Sequence, residues 1–251
     1  MTLPIGPYRH ADTYQVRFDE AGPDGRIRGS ALLGIVQDVA SRHLDSIGLT
    51  REWHAERGIV WLVRAVDLRL IAPIGYGETL RVETAAVGWR RVAGRRETRV
   101  EGADGEPRAL VLTDWVLIEV DGGPMRITEE SLARFPGLPS FEPLRVDRAD
   151  PPADASALAL SIRLRDLDPV DHVNNGVYLD LLDESVAAAG GSLAGTYPRR
   201  TVLEYVGAAT RGDDLVARAW RTPGGWAHRL ERVADGATLL RGATAPGLGA
   251  D

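Results

Sequence analysis

RDLDPVDHVNNGVYLDLLDESV, at residues 165–186, places acidic residues, a histidine and two asparagines directly before an amphipathic run. Asn174 or Asn175 is a suitable N-cap, because a short side-chain oxygen can accept a hydrogen bond from the first helical turn. The apolar residues that follow recur at helical spacing. A helix is therefore predicted here, and the loop before it carries Asp168 and His172. The N–H groups at such a helix start suit a carbonyl oxygen that becomes anionic during a reaction.

Length and composition are those of an ordinary globular protein. The 251 residues are 44% hydrophobic and 26% charged, and the net charge of −6 argues against a general nucleic-acid binder. No run approaches the ~18 apolar residues of a membrane span, and residues 1–6 lack the basic start of a signal peptide. A cytoplasmic location is therefore expected. With no cysteine, no paired metal-ligand spacing among the five histidines and no glycine-rich phosphate loop, no cofactor is expected.

The first half combines one helix with a series of strands. A strand is predicted at residues 14–18, followed by a turn-rich segment and a helix that is capped by Ser30 and ends near Gly48. Further strands are predicted at residues 59–71, 79–84 and 109–120. Two more are predicted on either side of a tight turn at Ala93-Gly94. This order indicates an α+β domain with a sheet wrapped on a helix.

The second half repeats the order of the first. Residues 122–159 are rich in proline and aspartate, which indicates an interdomain connection. After it come a strand at residues 159–164, then the acidic loop and a helix. Further strands follow at residues 201–206, 216–221, 227–233 and 238–244. We therefore predict an internal duplication, with an N-terminal domain at residues 1–125, a linker at 126–157 and a C-terminal domain at 158–251.

The pattern D-x-x-x-H-V-N-N-x-x-Y, which begins at Asp168 and ends at Tyr178, resembles the signature loop of hotdog-fold thioesterases. From Tyr14 to about Ala245, the chain resembles the acyl-acyl carrier protein (acyl-ACP) thioesterases. The first half contributes GSALLGIVQDVASRHLDSIG, IVWLVRAVDLRL, GETLRVET and DWVLI. The resemblance implies an α+β fold of two fused hotdog domains, each an antiparallel sheet wrapped around a central helix.

The same resemblance implies hydrolysis of the thioester between a fatty acyl chain and the phosphopantetheine arm of an acyl carrier protein. It places the active site in the second domain and makes Asp168 and His172 the catalytic residues. Asp168 would act as a general base on water or as a nucleophile, and His172 would orient it or share its proton. Backbone N–H groups near Asn174, Asn175 and Gly176 would hold the oxyanion.

The chain departs from the plant-type members of this family at two places. Val170 stands where they have an asparagine, and Ala208 and Ala209 stand where they have a catalytic glutamate next to a cysteine. Valine and alanine can neither polarise a carbonyl nor activate water, so the plant-type network is incomplete. The mechanism of simpler hotdog thioesterases, centred on Asp168, stays open. Glu184, on the helix, either lies against the site or is a solvated carboxylate.

The leading hypothesis is a cytoplasmic acyl-ACP thioesterase that releases fatty acids in fatty acid biosynthesis. One alternative is an acyl-CoA or polyketide-type thioesterase on the same fold. Another is a non-hydrolytic acyl-binding protein on the same fold, which Val170 and Ala208 favour. The simpler interpretation of Asp166, Asp168 and His172 is that they only cap and stabilise the loop.

The expected partner is an acyl carrier protein, with no nucleic acid and no membrane. Carrier proteins are acidic, so the basic segment at residues 88–99 would steer docking through Arg90, Arg91, Arg95 and Arg96. The simpler interpretation is that these arginines keep an exposed hairpin soluble. A fused pair already supplies the two units that single hotdog proteins obtain by dimerising, so a monomer and a homodimer both remain open.

Overall fold

The computed structural model of the protein describes residues 8–169, 171–193 and 195–248. The helices of these residues are α1 (Gly29–Ser46), α2 (Arg51–Glu56), α3 (Glu129–Ala133) and α4 (Val177–Ala188). The strands of the first half are β1 (Arg9–Gln15), β2 (Ile59–Leu70), β3 (Thr79–Arg90), β4 (Ala93–Gly102) and β5 (Pro107–Glu119). Those of the second half are β6 (Ser156–Ser161), β7 (Arg199–Tyr205), β8 (Asp214–Thr222), β9 (Gly225–Arg232) and β10 (Thr238–Pro246).

The ten strands form one sheet in the order β1-β3-β4-β5-β2-β7-β10-β9-β8-β6. Counted outward from the central β2–β7 pair, each strand of the first half has a counterpart of the same rank in the second half. Arg200 of β7 joins the halves by donating two hydrogen bonds to Asp67 of β2, at 2.8 and 2.9 Å. The repeated order of elements predicted from the sequence is therefore present. The domain boundaries stay a prediction, because the sheet is continuous across them.

Each half wraps its strands around one long helix. The apolar residues of α1 recur every three or four positions and are buried, as are those of α4. The largest apolar cluster contains residues of both helices and both halves of the sheet, among them Leu33, Leu68, Leu182 and Leu203. The two helices also meet: a methyl group added to Gly176 would lie 2.7 Å from the carbonyl oxygen of Ser30. The second-half loop thus packs directly on the N-terminal end of α1.

Two predictions at the start of the chain were wrong in position. The first strand is Arg9–Gln15, and Phe18–Glu20 instead form one turn of 3-10 helix. The cause is Glu20, whose carboxylate accepts the Arg17 N–H at 2.8 Å and thereby closes the turn. The first helix begins at Gly29 and has Arg28, not Ser30, as its N-cap.

The predicted hairpin turn and second helix cap were also misplaced. The turn lies at Arg91 and Val92, between the paired residues Arg90 and Ala93. Gly94 belongs to β4, where a Cβ atom would collide with the ring of Trp89 at 2.2 Å. The N-cap of α4 is Gly176, and neither asparagine holds that position. These glycines serve close packing rather than a turn.

The connection between the halves is anchored to the sheet. After the short helix α3, which Thr128 caps, the chain has no regular structure until β6. Asp114 of β5 accepts a hydrogen bond from the Leu144 N–H at 2.9 Å, and Arg229 of β9 donates to the Ala149 carbonyl at 2.7 Å. Strands of both halves therefore hold this segment in place. No helix of the described residues is long and apolar enough to span a membrane.

Candidate active site

Backbone hydrogen bonds fix the loop that precedes α4. The Asp168 N–H donates to the His172 carbonyl at 2.8 Å, and the Asn174 N–H donates to the Asp166 carbonyl at 2.8 Å. Asp171, at the tip, has a φ of 61°. Loops that a rigid scaffold holds in this way are common carriers of binding and catalytic residues.

The first half contains the same frame with different side chains. There the Gly22 N–H donates to the Arg26 carbonyl at 2.7 Å, and the Arg28 N–H donates to the Glu20 carbonyl at 2.9 Å. Gly25, with a φ of 72°, stands at the tip. The first half therefore has a glycine and an arginine where the second half has the acid and the imidazole.

Asp168 and His172 are both half-buried and line the same large cavity. One carboxylate oxygen of Asp168 accepts the backbone N–H of His172 at 3.2 Å. This bond holds the carboxylate over the turn, and a carboxylate held in this way needs little reorganisation during a reaction. The structure thus brings together the two residues that the sequence predicted as catalytic.

Only one of the three expected oxyanion donors is available. The Asn174 N–H is bonded to Asp166, and the Gly176 N–H donates to the Asn174 side-chain oxygen at 2.8 Å. The Asn175 N–H has no acceptor among the described residues, and Asn175 lines the cavity. It lies two residues before the first residue of α4, where the partial positive charge of the helix is concentrated. The geometry therefore favours Asn175 for this role.

Two tyrosines to which the sequence assigned no role support the loop. Tyr205 of β7 donates its hydroxyl hydrogen to the Asn175 carbonyl at 2.7 Å, and the Ala209 N–H donates to the Tyr178 hydroxyl at 2.8 Å. Their rings lie edge to face, with centroids 5.5 Å apart. Burial raises the pKa of both hydroxyls, so they stay protonated. A tyrosine within a buried apolar run is the signal that could have identified them, because its hydroxyl needs a partner.

The cavity has a volume of about 1060 Å³ and belongs mainly to the first half. Its walls include aromatic residues of the sheet and of the segment after α3: Trp61, Trp89, Trp115 and Phe135. Asp168, His172 and Asn175 lie at the part of its wall that the second half supplies. Such a volume with apolar walls fits a long hydrocarbon chain.

Comparison with known families agrees with this geometry. The profile of the acyl-ACP thioesterase N-terminal domain matches residues 7–135, and that of the acyl-ACP thioesterase C-terminal domain matches residues 149–241. The chain belongs to the acyl-ACP thioesterase family. The family assignment made from the sequence is therefore confirmed.

Relatives of this acyl-ACP thioesterase family member are distant. A chloroplastic oleoyl-acyl carrier protein thioesterase of Arabidopsis thaliana is 22% identical over 199 residues, which cover 71% of this chain and 54% of the relative. The chain thus spans about half the length of the curated relatives it matches.

Solved structures of the family show the same fold. A putative oleoyl thioesterase from Lactobacillus plantarum superposes with a TM-score of 0.84 at 19% identity, covering 94% of both chains. A 12:0-ACP thioesterase from Umbellularia californica gives a TM-score of 0.80 at 21% identity, covering 97% of this chain and 98% of the other. The predicted α+β fold of two fused hotdog domains is confirmed.

The positions at which this family member departs from the plant type have no side-chain chemistry to offer. Ala208 lines the cavity, and its carbonyl oxygen accepts a hydrogen bond from Arg232 at 2.9 Å. Ala209 is fully buried, and its backbone positions the loop by accepting the Val173 N–H at 2.9 Å. Val170 lies outside the described residues.

Several of the other predicted site residues lie away from the reaction centre. Glu184 is exposed on α4 and does not line the cavity, so it is a solvated carboxylate. Arg96 is buried and Arg95 is held by Asp114 of β5 at 2.6 and 2.9 Å, so neither offers a free charge to a carrier protein. The docking expectation is therefore wrong for these two arginines. Only the exposed pair at the hairpin remains, namely Arg90 and Arg91.

Among the described residues, no three histidine, aspartate or glutamate side chains lie close enough together to hold a metal ion.

Proposed function

We propose that this protein hydrolyses the thioester bond of fatty acyl chains carried on an acyl carrier protein. The observation that carries the proposal is the placement of Asp168, His172 and the unused Asn175 N–H on the wall of one cavity of about 1060 Å³. Family membership supports the thioester as the reacting group and acyl-ACP as its source.

In the proposed reaction the thioester carbonyl oxygen lies against the Asn175 N–H at the start of α4. The Asp168 carboxylate takes a proton from water while the water oxygen attacks the carbonyl carbon. The resulting oxyanion is stabilised by the Asn175 N–H and by the partial positive charge of the helix. When the C–S bond breaks, the proton passes to the leaving sulfur, and His172 orients the carboxylate or shares this proton.

The two halves then have different tasks. The apolar cavity of the first half holds the acyl chain, and the loop of the second half supplies the reacting groups. This division explains why the first half can carry Gly22 and Arg26 in the equivalent loop without loss of function. Arg90 and Arg91 are our candidates for contact with the acidic carrier, since both are exposed.

Thiol release from matched acyl-ACP and acyl-CoA substrates tests the proposal. We expect the wild type to hydrolyse acyl-ACP, and Asp168→Asn to lose about a hundredfold or more of this rate. Asp171→Asn is the matched control, because Asp171 lies in the same loop but is exposed and does not line the cavity.

The alternatives give different results. If thiol is released from acyl-CoA alone, the carrier of the acyl chain is coenzyme A and not an acyl carrier protein. The assignment of the catalytic site would not change. If the protein binds acyl chains but releases no thiol from any substrate, it is a non-hydrolytic binder, and Ala208 in the cavity wall becomes the decisive residue. A cytoplasmic location, a part in fatty acid biosynthesis, and the choice between monomer and homodimer stay predictions.

A further inference from the structure

The cavity wall contains a buried arginine without a carboxylate partner. Arg96 of β4 is 8% exposed, and its Nη1 lies 3.0 Å from His43 Nδ1 and 3.5 Å from Thr84 Oγ1. Both of these contacts involve Nη1, and no carboxylate of the described residues forms an ion pair with Arg96. Burial lowers the pKa of the guanidinium to about 10, so the group is still charged at neutral pH.

A second buried group on this wall is also incomplete. His54 of α2 is 9% exposed, and its Nδ1 lies 2.7 Å from the Thr50 carbonyl oxygen, which requires the proton to be on Nδ1. Its Nε2 is therefore an acceptor, and it is buried without a partner among the described residues. The indole N–H of Trp115 is unpaired in the same way. Buried polar atoms without partners are rare, and these two, on the same cavity wall as the charged Arg96, indicate a polar occupant.

These groups lie far from the reacting groups. The second-half loop packs on Ser30, at the start of α1, whereas His43 lies near the other end of that helix. At a rise of 1.5 Å per residue, the separation along α1 is about 20 Å. Across the sheet, β4 is three strands from β7, the strand of Tyr205, which corresponds to roughly 14 Å. Arg96 therefore faces the part of an acyl chain that is remote from the thioester.

We propose that the preferred acyl chain carries an acceptor oxygen, as a hydroxyl, carbonyl or carboxylate group, at the position that reaches Arg96. The inference rests on the proposed function, because it names the substrate class of the same site. A plain hydrocarbon would leave the guanidinium desolvated and unpaired, which is costly for a charged group. An acceptor oxygen would form a charge-assisted hydrogen bond with it, and a hydroxyl group could in addition donate to His54 Nε2.

Thioesters of equal chain length that differ only at the remote end test this inference. We expect the wild type to prefer a chain with a remote hydroxyl or carboxylate over the plain chain by roughly tenfold to a hundredfold in kcat/KM. In Arg96→Met this preference is expected to disappear. Arg99→Met is the matched control, since Arg99 lies on the same strand but does not line the cavity, and it should keep the preference. Comparison of the hydroxyl-bearing chain with the carboxylate-bearing chain identifies which oxygen group Arg96 binds.

Binding of the free acids measured by calorimetry separates this inference from the proposed function. If no thioester is hydrolysed, tighter binding of the oxygen-bearing acid than of the plain acid still supports the role of Arg96. If the wild type hydrolyses and binds all chains equally well, the inference is overturned. The unpaired groups would then be assigned to ordered water. A uniform loss of rate or affinity for every chain in Arg96→Met would also overturn the inference, because that is the signature of a structural residue.

Discussion

Asp168 occupies in the second half the backbone position that Gly22 occupies in the first. The N–H groups of both residues donate to the carbonyl four residues later, His172 at 2.8 Å and Arg26 at 2.7 Å. The same fold therefore accepts either side chain, and the acid is not needed to build the loop. This relationship separates catalysis from stability at a single position.

Asp168→Gly should accordingly keep the fold and lose the activity. We expect thiol release to fall by about a hundredfold or more, because the general base is gone, while the melting temperature changes by only a few degrees. Rates and thermal unfolding of the same sample give both values. A large loss of stability in Asp168→Gly, with Asp171→Asn unaffected, would show that the carboxylate is structural.

Gly176→Ala should loosen the contact between the two helices. The added methyl group would lie 2.7 Å from the Ser30 carbonyl, which is backbone and cannot turn away, so we expect a loss of about 1–3 kcal/mol. Gly34→Ala on α1 is the matched control: its methyl group meets no atom within 4 Å, and the change should add about 0.5–1 kcal/mol. Chemical denaturation measures both, and destabilisation of similar size in the two variants would contradict the packing argument.

Tyr205→Phe should affect catalysis more than stability. Loss of the hydroxyl frees the Asn175 carbonyl, at the residue whose N–H we assign to the oxyanion, and costs about 0.5–1.5 kcal/mol of folding free energy. We expect kcat to fall with little change in KM. Thr201→Val, on the same strand, removes a buried hydrogen bond to Thr244 at 3.2 Å and serves as the control. Thr201→Val should lose similar stability but keep its kcat. If both variants lower kcat to the same extent, Tyr205 has no specific role in catalysis.

His228 should make folding stability fall in mild acid. Burial lowers its pKa to about 4, below the ordinary value of 6.5, so the unfolded chain takes up a proton first. The folding stability linked to His228 is fully present above pH 6.5. It is lost as the pH falls toward 4, by about 3 kcal/mol in total. Denaturation between pH 4 and 7 should show this slope weakened in His228→Leu, and an unchanged slope would refute it.

Asp183 should act in the opposite sense over the same range. Burial, and to a smaller extent Asp180, raises the pKa of the Asp183 carboxyl to about 6, while Arg199 opposes the rise. The folded state therefore holds this proton longer, and the stability it contributes is present below pH 3.8 and lost as the pH rises through 6. Asp183→Asn should steepen the rise of stability with pH between 4 and 6. If folding stability instead rises less steeply with pH in Asp183→Asn, this mechanism is contradicted.

Local patterns in the sequence predicted most of the elements. Helical spacing identified α1 and α4, apolar runs identified β2 and β5, and the repeated order of elements anticipated the matched halves of the sheet. The errors lie where a side chain or a distant ring overrides local preference. Gly94 was interpreted as a turn glycine, but the Trp89 ring requires it within a strand.

For the site, the sequence by itself determined which reactive groups the loop carries, Asp168 and His172, because their types and spacing are properties of the chain. Only the tertiary structure decided which N–H stays available. The Asn174 and Gly176 N–H groups are used within the loop, while Tyr205, 30 residues away, holds the carbonyl of Asn175.

The direction of Arg96 was decided in the same way. Alternation along a strand places one of two adjacent arginines inward, but which one depends on register, and register is set by strands that are distant in sequence. Residue types and local periodicity are written in the chain. Partners, burial and the walls of a cavity arise only when remote segments meet.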